Sequence, residues 1–150
     1  MALGPSHAVW RKLYVTLANL AAACGGAFAF VLDEGNGLWC VGIPGLEPTG
    51  STREEDRAAD RFYTKEVVPR MAAMRRGSRI QVVRATGDDR YVALSFAGIY
   101  MVVVWFDAPL EPFPVLSKIR AALDEIEALT VSLPPSGGPG ANDGAAKIRA

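Results

Sequence analysis

RIQVVRATGDDRYVALSFAGIYMVVVWFD, residues 79–107, is the stretch on which the fold turns. Ser78 to Thr86 alternates, placing Ile80, Val82 and Arg84 on one side and Arg79, Gln81, Val83 and Ala85 on the other, as a half-exposed strand does. Thr86-Gly87-Asp88-Asp89 then supplies residues that accept positive φ in a hairpin. Arg90 to Phe96 reads as a second strand and Ala97-Gly98 as a second turn. Ile99 to Phe106 follows with no polar group except the Tyr100 hydroxyl. A strand that is apolar on both sides needs cover on both faces, so this one belongs at the centre of its sheet. Ser78 to Thr86, with Arg79, Gln81 and Arg84, belongs at an edge, where its backbone can pair with another chain unless something caps it.

Downstream, Asp107 to Pro114 is a proline-marked turn, and the period changes from two to that of a helix. Val115, Leu116, Ile119, Ala122, Leu123, Ile126 and Leu129 line one side of this helix, with Lys118, Arg120, Asp124, Glu125 and Glu127 opposite. From Pro134 the composition shifts to Pro, Gly, Ser, Ala and Asn, which predicts a disordered tail over 134–150 after a domain spanning 7–133.

Upstream, Ser51-Thr52-Arg53-Glu54 matches a capping box and opens another helix, which Gly77 stops. Its first turns carry Glu54, Glu55, Asp56 and Asp60 and its last turns Arg70, Arg75 and Arg76, which suits the helix dipole at both ends. Pro69 lacks a donor and opposes the Lys65 carbonyl, predicting a kink or break between Lys65 and Pro69. Within this charged helix Ala59, Phe62, Tyr63, Val67, Met71 and Met74 form a short apolar set. Phe62, Tyr63, Met71 and Met74 would leave an apolar patch if the domain stood alone, and such patches mark association.

Before the loop at Pro44 to Gly50, Ala27 to Leu32 and Leu38 to Ile43 read as a hairpin turned at Asp33-Glu34-Gly35-Asn36-Gly37. Leu13 to Leu32 is a run without charge, long enough to raise a membrane span. It divides instead: Trp10, Leu13, Tyr14, Leu17, Leu20, Ala21 and Cys24 fall at helical spacing, Gly25-Gly26 interrupts, and Phe28, Phe30 and Leu32 lie at period two. The first part is then a helix from His7, capped by Ser6, to about Cys24.

The chain has 150 residues, half of them hydrophobic, enough for one well-filled core. Sixteen basic residues balance sixteen acidic ones, so no global field draws nucleic acid or an anionic membrane, and a partner must be recognised by shape and local patches. Cys24 and Cys40 lack the spacing of a zinc site or redox motif and read as free thiols of a reducing cytoplasm. The single histidine, His7, permits no histidine-based triad or multi-histidine metal site, and no phosphate-loop motif is present. No enzyme activity, catalytic residue, metal or cofactor is expected. Trp39, Phe96, Trp105 and Phe106 are flanked by apolar neighbours and read as core.

The first hairpin, GGAFAFVLDEGNGLWCVG at 25–42, and the block at 79–107 followed by an amphipathic helix resemble the roadblock (dynein light chain type) family, with the likeness extending over residues 7–133. Among bacterial members the chain is similar to the MglB and MglC type. The resemblance implies an α+β, profilin-like fold of order α-β-β-α-β-β-β-α. In it a five-stranded antiparallel sheet lies between the second helix on one face and the first and third on the other. It implies dimers in which the second helices pack together and the following strand pairs across the interface. On this chain that places Ala59, Phe62, Tyr63, Val67, Met71, Met74, Ile80 and Val82 at the interface.

The family's usual role, also by resemblance, is non-enzymatic regulation or scaffolding of small Ras-like GTPases, here in bacterial polarity or motility control. Partners would be a second copy or another roadblock protein, and the GTPase itself. Arg75 and Arg76 suit a helix C-terminus, with an arginine finger into a partner GTPase as the alternative. The charged start of the second helix departs from the alanine- and leucine-rich pattern of the family and leaves room for a heteromeric partner. Two other readings stay open: a small-ligand sensor of PAS- or GAF-like type, and a lipoprotein anchored at Cys24.

Overall fold

Alternation and turn chemistry translate directly into a single antiparallel sheet. The computed structural model describes residues 5–46, 48 and 53–133. Strands β1 (Phe28–Asp33), β2 (Leu38–Gly42), β3 (Gln81–Arg84), β4 (Arg90–Phe96) and β5 (Tyr100–Phe106) lie in the order β2-β1-β5-β4-β3, each antiparallel to its neighbours. All seven residues of β5 are buried, and it pairs with β1 on one side and β4 on the other. The apolar run therefore takes the central position its composition requires. Ile99 is the exception: it sits in the turn before β5, 38% exposed.

Helices α1 (Pro5–Cys24) and α4 (Pro112–Val131) cover one face of the sheet. Leu13, Leu17, Val102, Val104, Ile119 and Ile126 meet there, each wholly buried. Both helices begin earlier than expected, at Pro5 and Pro112, because proline suits the first turn, where no amide donor is needed. Gly42 sets how closely α1 rides on β2. A Cβ at this position would lie 2.3 Å from the Ala18 amide nitrogen, so only glycine admits the helix backbone this near.

The other face is covered by the segment from Arg53 to Arg75, and here a continuous helix is replaced by four pieces. Helix α2 (Arg53–Phe62) runs into a π-helical turn (Tyr63–Val67), a 3-10 turn (Val68–Arg70) and the short helix α3 (Met71–Arg75). The break falls where Pro69 predicts it. Deprived of the bond from residue 69 to Lys65, the chain widens, and the Val68 amide bonds the Tyr63 carbonyl five residues back. Gly77, at φ +87°, ends α3: its amide bonds Met74 O at 3.0 Å and the Ser78 amide bonds Ala73 O at 3.0 Å. Phe28, Phe30, Phe62, Met74, Tyr91 and Trp105 form the core of this face.

The edge strand is shorter than its sequence pattern, for identifiable reasons. At its start the Ile80 amide donates to Ser95 Oγ at 2.7 Å rather than to a carbonyl, and at its end Ala85 O is taken by the Leu110 amide at 3.3 Å. The expected capping residues Ser51 and Thr52, and the tail 134–150, lie outside the described residues. Cys24 and Cys40 are free thiols, and burial pushes the Cys40 thiol well above its ordinary pKa.

Candidate functional site

The residues that sequence placed at an interface cluster at the junction of the broken helix with β3, but most face inward. Ala59, Phe62, Val67, Met74 and Val82 are buried within the chain itself, and Tyr63, Met71 and Ile80 are half-buried. Phe62 packs edge-on against Tyr91, ring centroids 5.0 Å apart, and against Phe30 at 6.2 Å. The apolar patch expected around Phe62 and Met74 is thus closed by the sheet. A helix that packs on a sheet and a helix that packs on a partner need the same apolar stripe, and here the sheet has taken it.

What the junction shows to solvent is different. Val68, in the 3-10 turn, is 51% exposed and Val83, on β3, 37%. Arg76, Arg79, Gln81 and Arg84 are exposed around them. In β3, Val82 and Arg84 point to the broken helix, while Gln81 and Val83 point to the α4 side, where Arg120 Nη2 donates to Gln81 Oε1 at 2.7 Å. Beyond β3 no further strand pairs among the described residues, so one side of its backbone is open.

Beneath that surface the π turn buries a charge. Glu66 is 1% exposed and accepts from the Tyr91 hydroxyl, from Arg84 Nε at 2.7 Å and from Arg70 Nη1 at 2.8 Å. Arg84 Nε also reaches the Tyr91 hydroxyl at 3.1 Å. Burial by itself would raise the Glu66 pKa, but the hydrogen bonds from Tyr91 and Arg84 and the charges of Arg84 and Arg70 outweigh it and hold the carboxyl below its ordinary value. Burial, then the hydrogen bond to the Glu66 carboxylate and its negative charge, push the Tyr91 phenol the other way and keep it protonated. Charge pattern alone did not single out Glu66. The signal that could have found it is Pro69 three residues on, which turns the helix face, together with Arg70 at i+4.

Glu34 performs a related task at the other end of the broken helix. Its carbonyl accepts from the Tyr63 hydroxyl at 2.8 Å, its amide bonds Ile99 O at 2.9 Å, and its carboxylate pairs with Arg75 Nε at 2.8 Å. Arg75 is therefore engaged within the chain, whereas Arg76 makes no ion pair among the described residues. The hairpin that carries Glu34 is held by Asp33, whose Oδ1 accepts from the Gly35 and Gly37 amides at 2.9 and 2.8 Å and whose Oδ2 accepts from Trp39 Nε1 at 2.8 Å. Arg61 pairs with Asp89 at 3.0 Å and lies over the Trp105 ring at 5.6 Å.

No group of three or more His, Cys, Asp or Glu among the described residues is placed to hold a metal. A cavity of about 230 Å³ is lined by Cys24, Phe106, Leu110, Glu111, Pro114 and Lys118. Helix α1 buries Trp10, Leu13, Tyr14, Leu17, Leu20 and Ala21 in the core, so cleavage before Cys24 would strip a helix from the sheet. No helix among the described residues is long and apolar enough to cross a membrane.

No protein-family model matches the sequence, and no curated protein matches it. Among solved structures the chain is similar to Myxococcus xanthus MglB, with a TM-score of 0.56 and 18% identity over 81% of this chain and 97% of that one. At that identity the likeness is one of fold. The five-stranded antiparallel sheet with its flanking helices has the roadblock architecture that residues 25–42 and 79–107 suggest.

Proposed function

We propose that this chain, sharing the MglB fold, is a non-enzymatic regulator or scaffold of a small Ras-like GTPase. The observation that carries the reading is the extent of the shared fold, which takes in nearly the whole of MglB. It acts by association at the junction of the broken helix and β3, with a second copy or another roadblock-type protein, and the GTPase binds the resulting assembly. Its setting is the cytoplasm, in the control of polarity or motility. Of the eight residues first placed at the interface, Tyr63, Met71 and Ile80 contribute directly. Ala59, Phe62, Val67, Met74 and Val82 support it from beneath, and Val68 and Val83 supply apolar contact.

The test is capture of the tagged full chain from its native cell with GTP-analogue or GDP present, followed by titration of any recovered Ras-like GTPase in purified form. Recovery of such a GTPase with nucleotide-dependent affinity is the expected result. Capture of no GTPase under either nucleotide, with the chain folded, would remove the reading.

A further inference from the structure

One hydroxyl sits inside the arginine-rich stretch that leads into β3. Of the serines and threonines in the chain, Ser78 alone follows arginine at both the second and the third preceding position, in Arg75-Arg76-Gly77-Ser78. Residues 76–80 belong to no helix or strand, Ser78 is exposed, and its hydroxyl makes no hydrogen bond among the described residues. Arg76 and Arg79 are exposed and make no ion pair among the described residues. Arg75 meets Glu34 in a surface pair, its side chain 58% exposed, and such pairs are weak and screened by salt. A protein kinase with an acidic substrate cleft grips arginines at these two positions by charge-assisted hydrogen bonds. From Val67 to Gly87 the chain carries Arg70, Arg75, Arg76, Arg79 and Arg84 and no carboxylate, so a phosphate on Ser78 enters a positive field. The carbonyl end of α3 opposes it, but with the partial charge of a five-residue helix against whole charges on Arg76 and Arg79.

Ser78 is also placed to act on a second copy laid antiparallel on the open edge. A two-fold axis perpendicular to the sheet passes through a residue of β3, so that paired side chains share a face. An axis at Arg84 sets the two Arg84 side chains opposite each other, and one at Val83 leaves them diagonal neighbours, both unfavourable for like charges. An axis at Gln81 or Val82 separates them and sets Arg84 of the second copy opposite Ser78 or Ile80. In an extended continuation of the strand, Ser78 lies on the face of Val82 and Arg84, and is then the direct or diagonal neighbour of that arginine. Arg84 meets Glu66 and Tyr91 through Nε, and its side chain is 47% exposed, so the outer edge of the guanidinium is open to solvent. The two Ser78 positions fall at opposite ends of the paired strands, roughly 20 Å or more apart at about 3.3 Å per residue. That exceeds the Debye length of about 8 Å, so the two phosphates repel little.

We propose that Ser78 is phosphorylated by an arginine-directed protein kinase, and that its phosphate bridges to Arg84 of a second copy and tightens the pair. The serine hydroxyl attacks the γ-phosphorus of a nucleoside triphosphate, the bond to the β-phosphate breaks, and the nucleoside diphosphate leaves, while the hydroxyl proton passes to the base of the kinase. This rests on association of two copies through β3 and adds the modification that sets its strength.

The test treats the full chain with ATP and a purified kinase that requires arginine at both positions. Intact mass and peptide sequencing should find one phosphoryl group on Ser78 and none on Ser78→Ala, and chain purified from its native cell with phosphatases inhibited should carry the same group. Sedimentation at low ionic strength should show the phosphorylated chain pairing at least about tenfold more tightly than the unmodified one. The advantage should shrink as salt is raised, and as pH falls through about 6, where the phosphate loses its second charge. Arg84→Gln should accept the phosphate equally and lose the tightening, with Tm reporting its fold; the salt and pH dependence of the wild-type pair tests the bridge without any variant. A Ser78 left unmodified by the kinase, or bare in the native cell, overturns the site. Pairing that phosphate leaves unchanged or weakens overturns the bridge while association through β3 stands. If neither form pairs, that association falls as well, and capture of a GTPase is decided separately from all of these results.

Discussion

Glu66 shows how one side chain can hold two layers together. Its carboxylate joins the broken helix to Tyr91 on β4 and Arg84 on β3, and its hydrogen bonds offset much of the cost of burying a charge. Glu66→Ala leaves the buried Tyr91 hydroxyl without its acceptor and should cost about 1–3 kcal/mol in urea unfolding at neutral pH. Because the Glu66 pKa is lower folded than unfolded, its contribution is complete above the ordinary carboxylate value of about 4.3 and is lost as pH falls through the depressed folded value. Unfolding curves of wild type and Glu66→Gln should therefore differ most near neutrality and converge on acidification. Phe62 carries an equally specific expectation. It is 0% exposed, so Phe62→Ala should lower stability by about 3–5 kcal/mol, whereas Val68→Glu, six residues on at the surface, should change it by no more than about 0.5 kcal/mol.

Among the elements, the contact of α1 with β2 is the least tolerant. A Cβ on Gly42 would meet backbone atoms at 2.3 Å (Ala18 N) and 2.7 Å (Leu17 C), which cannot swing aside as a side chain can. Gly42→Ala should cost about 3 kcal/mol, read as a lowered urea midpoint with an unchanged slope. The elements themselves were legible because each local signal agreed with its neighbours. The all-apolar β5 had to be central, the arginine-bearing β3 had to be an edge, and Gly77 and Pro69 punctuated the helix where the structure breaks it. The burial of the helix's apolar set was less legible. Phe62 and Met74 have the same pattern whether they cover a sheet or await a partner, and only the position of the sheet distinguishes the two. Glu66 was invisible for a related reason: a π turn inserts a residue and rotates the helix face, so a carboxylate in an otherwise charged helix points into the core.

At the scale of the whole molecule, the two cores share one sheet and neither face is self-sufficient. A chain beginning at Cys24 would expose Val102, Val104 and their neighbours beneath the missing helix. It should fail to fold, with loss of near-ultraviolet circular dichroism and strong binding of a hydrophobic dye. Sheet order also has a consequence in time. The middle pairing joins Phe28 with Trp105 and Asp33 with Tyr100, roughly 70 residues apart, so β1 cannot acquire its inner neighbour until nearly the whole domain has been synthesised. At about 5–20 residues per second, the nascent first hairpin waits several seconds with one edge and much apolar surface uncovered. In the cell, the vulnerable period for this protein falls during translation, before its central strand has left the ribosome.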